Sequence, residues 1–180
     1  FDYMWGIDGG HGKTYASFAV YRGLSEGGFV TLDKTSADAS VTAGNGEYTL
    51  AGAVYGVYQG GSLVAQFTTD ESGHGQTSEK LPNGDYVVRE ISAPAGYALS
   101  QEEFHVTVAG GNVHVNAQDA PVTVNLTLIK KDAETLLPEP QGAASLDGAE
   151  YEATYLHGGE YVTAKGVVEN SKLAFEGIPL

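Results

Sequence analysis

The stretch Tyr86-Val87-Val88-Arg89-Glu90-Ile91-Ser92-Ala93-Pro94-Ala95-Gly96-Tyr97 decides the reading of this chain. Its first half alternates as a β-strand, and alternation puts Glu90 on the same face as Tyr86 and Val88. A carboxylate on a core face is costly: unpaired in a dry interior it loses several kcal/mol or takes up a proton. Such a residue points to chemistry more than to stability. Its second half, Ala93-Pro94-Ala95-Gly96, breaks the strand, as Pro and Gly do in turns.

Working outward, the same alternation appears on both sides. Phe29 to Thr35, Ala53 to Tyr58, Leu63 to Thr69, Asp85 to Ile91, Phe104 to Ala109 and Asn112 to Asp119 read as strands. Gly60-Gly61, Asp70-Glu71-Ser72-Gly73, Pro82-Asn83-Gly84 and Gly110-Gly111 supply the reversals. A two-residue Gly110-Gly111 loop predicts a hairpin pairing Val108 with Val113, Val106 with Val115 and Phe104 with Ala117. No stretch carries a clean 3.6-residue apolar period, and Ala133 to Leu137 and Leu99 to Glu103 are at most single helical turns. With 25 Gly and 6 Pro among 180 residues, the expected class is all-β: short antiparallel strands joined by tight turns.

The chain also repeats. Leu32, Lys34, Leu50, Gly52, Ala53 and Tyr55 recur 96 positions later as Leu128, Lys130, Leu146, Gly148, Ala149 and Tyr151, and Leu81-Pro82 recurs 97 later as Ile178-Pro179. This is a tandem array of one unit. The expected division is residues 1–28, the tail of a preceding domain plus linker; 29–121, a complete sandwich; and 122–180, the N-terminal part of a second. The second copy stops where its own equivalent of the Glu90 strand should begin, so both ends read as cut ends of a longer chain.

A net charge of −14 argues against nucleic acid and anionic membrane surfaces, which ask for clustered Lys and Arg. With no cysteine, disulfides and thiolate metal sites are excluded. No apolar run approaches the ~20 residues that cross a bilayer.

Side-chain parity collects the charges. Val30, Leu32 and Lys34 share one face; Tyr86, Val88 and Glu90 share another; Val113, Val115, Ala117 and Asp119 a third. Each inward row ends in an ionisable group. One amine and two acids at a common depth form a candidate reaction centre: Lys34 pushed by burial towards its neutral, nucleophilic form, Asp119 towards its protonated, electrophilic form, and Glu90 passing a proton between them. The product is an amide between Lys34 and Asp119 with loss of water, in one turnover and without a cofactor. A buried ion pair, or strand ends where these groups reach solvent, is the competing reading.

The order Leu32-x-Lys34, Leu50-x-Gly52-Ala53-x-Tyr55, Leu81-Pro82-x-Gly84-x-Tyr86, Glu90-x-x-Ala93-Pro94-x-Gly96-Tyr97 and Asp119-x-Pro121 resembles the CnaB (SpaA-type, prealbumin-like) domains of Gram-positive surface proteins. The resemblance covers nearly all of residues 30–121, and residues 126–179 resemble the first half of another such domain. It implies an antiparallel, Ig-like β-sandwich with an autocatalytic Lys to Asn/Asp isopeptide bond promoted by a Glu, usually in pilins or stalks at the cell wall. By position Lys34, Asp119 and Glu90 match those roles, Lys130 matches the lysine of the second copy, and Asn116 is the rival acceptor, although its parity faces outward. The implied function is mechanical, not that of a turnover enzyme, with neighbouring modules of the same chain as partners. Two other readings are an adhesin module for a host extracellular protein or glycan and an accessory module of a surface hydrolase.

Four weaker signals carry bland explanations. Gly9-Gly10-His11-Gly12-Lys13-Thr14 echoes a phosphate-binding loop but lacks the leading glycine and the following helix. His105 and His114 read as outward residues of one hairpin with no third metal ligand. Asp70-Glu71-Ser72-Gly73 reads as turn chemistry more than a calcium site. Tyr48, Tyr55, Tyr58, Tyr151, Tyr155 and Tyr161 read as ordinary strand aromatics more than a recognition surface.

Overall fold

The computed structural model describes residues 27–180. The echo at Gly9 to Thr14 and the strand expected at Tyr15 to Arg22 lie outside the described residues. The elements are β1 (Val30–Ser36), a single helical turn α1 (Ala39–Thr42), β2 (Val54–Gln59), β3 (Ser62–Thr68), β4 (His74–Gln76), β5 (Gly84–Ser92), β6 (Glu103–Val108), β7 (Val113–Asp119), β8 (Thr123–Ile129), β9 (Glu150–His157), β10 (Glu160–Val167) and β11 (Lys172–Pro179). The helical turn was not expected. Asp38 caps it by accepting from the Ser40 amide at 3.0 Å, the usual role of Asp before a helix.

Residues 30–119 form two sheets facing each other, one in the order β4-β1-β7 and one in the order β3-β2-β5-β6. Within the four-stranded sheet every pairing is antiparallel. Strand β1 pairs antiparallel with β4 but parallel with β7, Lys34 lying opposite Ala117 and Ser36 opposite Asp119. Between the sheets lies one apolar core of Val30, Leu32, Ala53, Tyr55, Val57, Phe67, Leu81, Tyr86, Val88, Val108, Val115 and Ala117. Alternate residues from both inner faces interlock there, as in other sandwiches, and each fully buried Val or Leu is worth about 1.5–3 kcal/mol.

The expected β6–β7 hairpin is corrected. Strand β6 pairs with β5, Tyr86 lying opposite Val106, while β7 pairs with β1. The Gly110-Gly111 turn carries the chain from one sheet to the other. Alternation predicts the same inward residues in both arrangements, because residues facing across a sandwich and residues paired within a sheet share one parity. His105 and His114 therefore belong to different sheets.

Residues 123–179 form two strand pairs, β8 with β11 and β9 with β10, both antiparallel. Val124, Leu126 and Ile129 of β8 are 44–50% exposed, whereas Val168 and Phe175 are buried. Among the described residues no helix is long and apolar enough to cross a membrane.

Candidate functional site

Lys34 stands on β1 as the third inward residue after Val30 and Leu32, and it is 1% exposed. Its neighbourhood is fixed by backbone: the Lys34 amide donates to the Gly73 carbonyl at 2.9 Å. Gly73 reaches that position because its φ is +82° and because a side chain there would strike the Lys34 carbonyl. Asp70 organises this turn, its Oδ1 accepting from the Ser72 and His74 amides at 2.9 and 3.0 Å. The Asp70 segment is thus a turn device, with Ser72 Oγ donating to the same oxygen at 2.6 Å and holding the carboxyl below its ordinary value.

Asp119 ends β7, two residues beyond the Ala117 that pairs with Lys34, so parallel register carries its carboxyl towards the amine. Glu90 comes from the opposite sheet, where it is the direct cross-strand partner of Tyr55. Lys34 Nζ lies 2.8 Å from Glu90 Oε1 and 2.5 Å from Asp119 Oδ2, and all three side chains are sealed from solvent. Nζ also donates to the Tyr55 hydroxyl at 3.0 Å and sits 5.3 Å from the centre of its ring, within cation–π range. The second oxygen of Glu90, Oε2, accepts from the Ser100 amide at 2.8 Å. One amine and two acids, from three strands of two sheets, meet in the core.

Hydrogen bonding around the three groups is uneven. Glu90 is held at both oxygens, but neither oxygen of Asp119 accepts a hydrogen bond of proper geometry. Its short contact to Nζ is an ion contact off the hydrogen-bonding directions. A buried carboxylate left this way, in contact with a buried amine, needs an explanation.

Burial pushes the Asp119 carboxyl up and the Glu90 charge adds to it, against the pull of Lys34. That direction eases uptake of a proton by Asp119. Lys34 differs from expectation. Burial pulls it down, but Asp119, Glu90 and the Tyr55 hydroxyl together outweigh burial and hold the amine above its ordinary value. The resting amine is therefore protonated, and a neutral amine arises only when a proton moves within the cluster. Burial pushes the Tyr55 hydroxyl up to about 12, so it serves as a neutral hydrogen-bonding group.

Two partners escaped the sequence reading. Tyr55 shares a face with Ala53 and Val57, and reading it as an ordinary strand aromatic gives its hydroxyl no role; it is 1% exposed and stacks on Phe67 at 5.8 Å. The Ser100 amide has no side-chain signal at all. Asn116 faces outward and is exposed, its Oδ1 lying 3.3 Å from His114 Nε2, away from Lys34. Lys130 lies just beyond β8, half-buried, its amide bound to the Ser171 carbonyl at 2.8 Å. His114 and His74 approach opposite oxygens of Asp33, at 3.4 and 2.7 Å, but among the described residues no group of His, Cys, Asp and Glu is arranged to hold a metal ion. The six tyrosines do not share a surface: Tyr48 is buried beside Tyr97, whereas Tyr161 is 80% exposed.

Residues 18–121 match the family model described as SpaA, prealbumin-like fold domain. The trypsin-resistant surface T6 protein of Streptococcus pyogenes serotype M6 is 36% identical over 59 residues, which are 32% of this chain and 11% of that protein. Among solved structures, the Bacillus anthracis TIE protein has a TM-score of 0.59 at 27% identity, over 82% of this chain and 25% of that one. GBS52, the minor pilin of Streptococcus agalactiae, has a TM-score of 0.43 at 27% identity, over 54% and 45% of the two chains. The chain thus spans less than half the length of each of these proteins.

Proposed function

Since the chain belongs to the family of SpaA prealbumin-like fold domains, we propose that residues 29–121 are a load-bearing, pilin-like module of a Gram-positive surface protein, locked by an amide between Lys34 Nζ and Asp119 Cγ. Residues 122–180 begin a second module of the same kind. The observation that carries the reading is the buried contact of Nζ with an acyl oxygen that has no other partner, beside a carboxylate positioned to move protons.

The steps conserve atoms and charge. Glu90 relays one proton from the Lys34 ammonium to Asp119, leaving a neutral amine and a neutral carboxylic acid. Nζ attacks Cγ, and the carbon–oxygen double bond opens to a tetrahedral centre. Glu90 takes the second proton from nitrogen and gives it to the departing hydroxyl, and water leaves. Glu90 ends as it began. Because one positive and one negative charge vanish together, the net charge of the chain does not change. Tyr55 orients Nζ, and the Ser100 amide keeps Glu90 aimed at it. Fixing the reacting groups in contact supplies on the order of 7–11 kcal/mol of the barrier.

The trypsin resistance in the name of the streptococcal relative is what such a lock would give this module: a closed covalent ring and a lysine with no access to protease. Intact mass of the purified chain tests the reading. The proposal expects the mass to fall one water short of the summed residues and the deficit to vanish in Lys34→Ala and in Asp119→Ala. A full mass in the parent chain overturns it.

A further inference from the structure

Residues 37–53 join β1 to β2, and part of this connection, residues 38–48, is in contact with the chain beyond residue 121. Tyr48 is 9% exposed. Its hydroxyl donates to the Val122 carbonyl at 2.6 Å and accepts from the Leu180 amide at 2.9 Å. Asn45, 8% exposed, donates through Nδ2 to the Leu180 carbonyl at 2.9 Å. The Val122 amide donates to the Gly96 carbonyl at 2.7 Å. Gly96 lies under Tyr48: a Cβ on it would come within 2.6 Å of the Tyr48 ring. Four hydrogen bonds therefore tie two separate points of the second repeat, Val122 and Leu180, to two segments of the first.

A third point of contact is the turn between β9 and β10. Gly159 packs so closely on Gly44 that a Cβ on Gly44 would lie 2.8 Å from its Cα. The first repeat contains the matching turn, Gly60-Gly61, between β2 and β3. Gly61 and Gly159 have nearly the same φ, +83° and +82°, but among the described residues nothing lies within 4 Å of a Cβ built on Gly60 or Gly61. Among the described residues, then, the turn of the second repeat is seated on residues 38–48 while that of the first meets no such surface.

We propose that residues 38–48, with the Gly96-Tyr97 turn, form a socket for the following module, fixing its orientation so that tandem modules stand in one set direction. Its partner is a second unit of this repeat, offering a Gly-Gly hairpin turn and two backbone segments. Linked domains ordinarily move against each other unless their interface is large. Here direct hydrogen bonds at separated points replace area. The inference rests on the tandem-module reading but not on the Lys34–Asp119 amide.

The chain has no cysteine, so Ser78→Cys and Ala174→Cys, both at exposed positions, carry a single pair of spin labels, one on each repeat. Their distance distribution is measured by pulsed electron resonance in the full chain. The expected result is one narrow distribution in the parent, broadened about twofold by Tyr48→Phe, which removes the hydroxyl at the centre of the socket. Gly44→Ala broadens it similarly. Gly52→Ala is the control: Gly52 also has a positive φ, +93°, but a Cβ there meets nothing among the described residues, so it carries positive-φ strain without the collision. A parent distribution as broad as that of Tyr48→Phe overturns the proposal, and so does equal broadening by Gly52→Ala and Gly44→Ala. Intact mass of each labelled chain reports the amide separately, so failure of the lock and failure of the socket are distinguishable.

Discussion

Replacing Glu90 by Gln isolates the contribution of the lock. Glutamine keeps the shape of the side chain and an oxygen for the Ser100 amide, now 2.8 Å from Glu90 Oε2, but it cannot relay a proton. It also leaves Lys34 and Asp119 as a balanced pair in contact, so little uncompensated charge is buried. Glu90→Gln is therefore expected to fold with its full mass, unlocked. The proposed amide would close a loop of about 85 residues, from Lys34 to Asp119, and the chain-entropy relation for a cross-link of that size gives roughly 4.5 kcal/mol of stabilisation. For a module of this length each kcal/mol moves the melting temperature by roughly 4–8 °C, so the first module should melt about 20–35 °C lower in Glu90→Gln than in the parent.

Calorimetry paired with intact mass reads both quantities on one sample. Two results refute the reasoning. If Glu90→Gln is also one water light, Glu90 is not the proton relay. If the parent is one water light and Glu90→Gln is not, yet the two melt within a few degrees, the amide does not constrain the unfolded chain as argued.

Pulled by its ends in a force spectrometer, Glu90→Gln should extend about 300 Å further than the parent, the length of some 85 residues freed between positions 34 and 119; equal extension would mean that the loop is not closed. Tyr55→Phe keeps the stack on Phe67 but loses the 3.0 Å bond to Nζ, and the mass change after refolding should slow about tenfold, the worth of one hydrogen bond to a charged group; an unchanged rate removes Tyr55 from the positioning of the amine. Lys34→Met leaves Asp119 buried beside Glu90 without its cation. Because burial raises the Asp119 carboxyl above its ordinary 3.8, the folded state holds the proton more tightly than the unfolded state, and stability falls as pH rises from that value through the folded one. The urea midpoint of Lys34→Met should thus be highest near pH ~4 and lower at neutral pH, where breaking a buried pair costs about 3–5 kcal/mol; a midpoint that rises with pH contradicts the assignment.

Much of the site was legible because parity is a strict signal. Val30, Leu32 and Lys34 alternate, as do Tyr86, Val88 and Glu90, and an alternating strand leaves no other face for the charge. Pairing was not legible, since β6 and β7 present the same inward residues whether they form a hairpin or face each other across the core. Strand β4, His74–Gln76, is too short and too polar for any period, and α1 rests on one Asp38 cap. The Ser100 amide and the directions of the Nζ bonds are products of tertiary closure.

The pairing that sequence could not supply is the one that matters most for load. Because β1 and β7 run parallel, the chain enters the first module at the Val30 end and leaves it at the opposite end, after Asp119. Modules joined this way string head to tail, and tension along the string pulls β1 and β7 past each other in shear. Lys34 and Asp119 stand near the exit end of that pair. Joined as proposed, they would let force pass from Val30 along the five residues of β1 to Lys34, through the amide, and out at Pro121, without loading β2 to β6. The socket at Tyr48 begins where that path ends, its hydroxyl on the Val122 carbonyl at 2.6 Å. An antiparallel hairpin of β6 with β7 could still have buried the same six apolar residues, but without β7 beside β1 it would have given no such path, because the lysine and its acceptor would have had no common register.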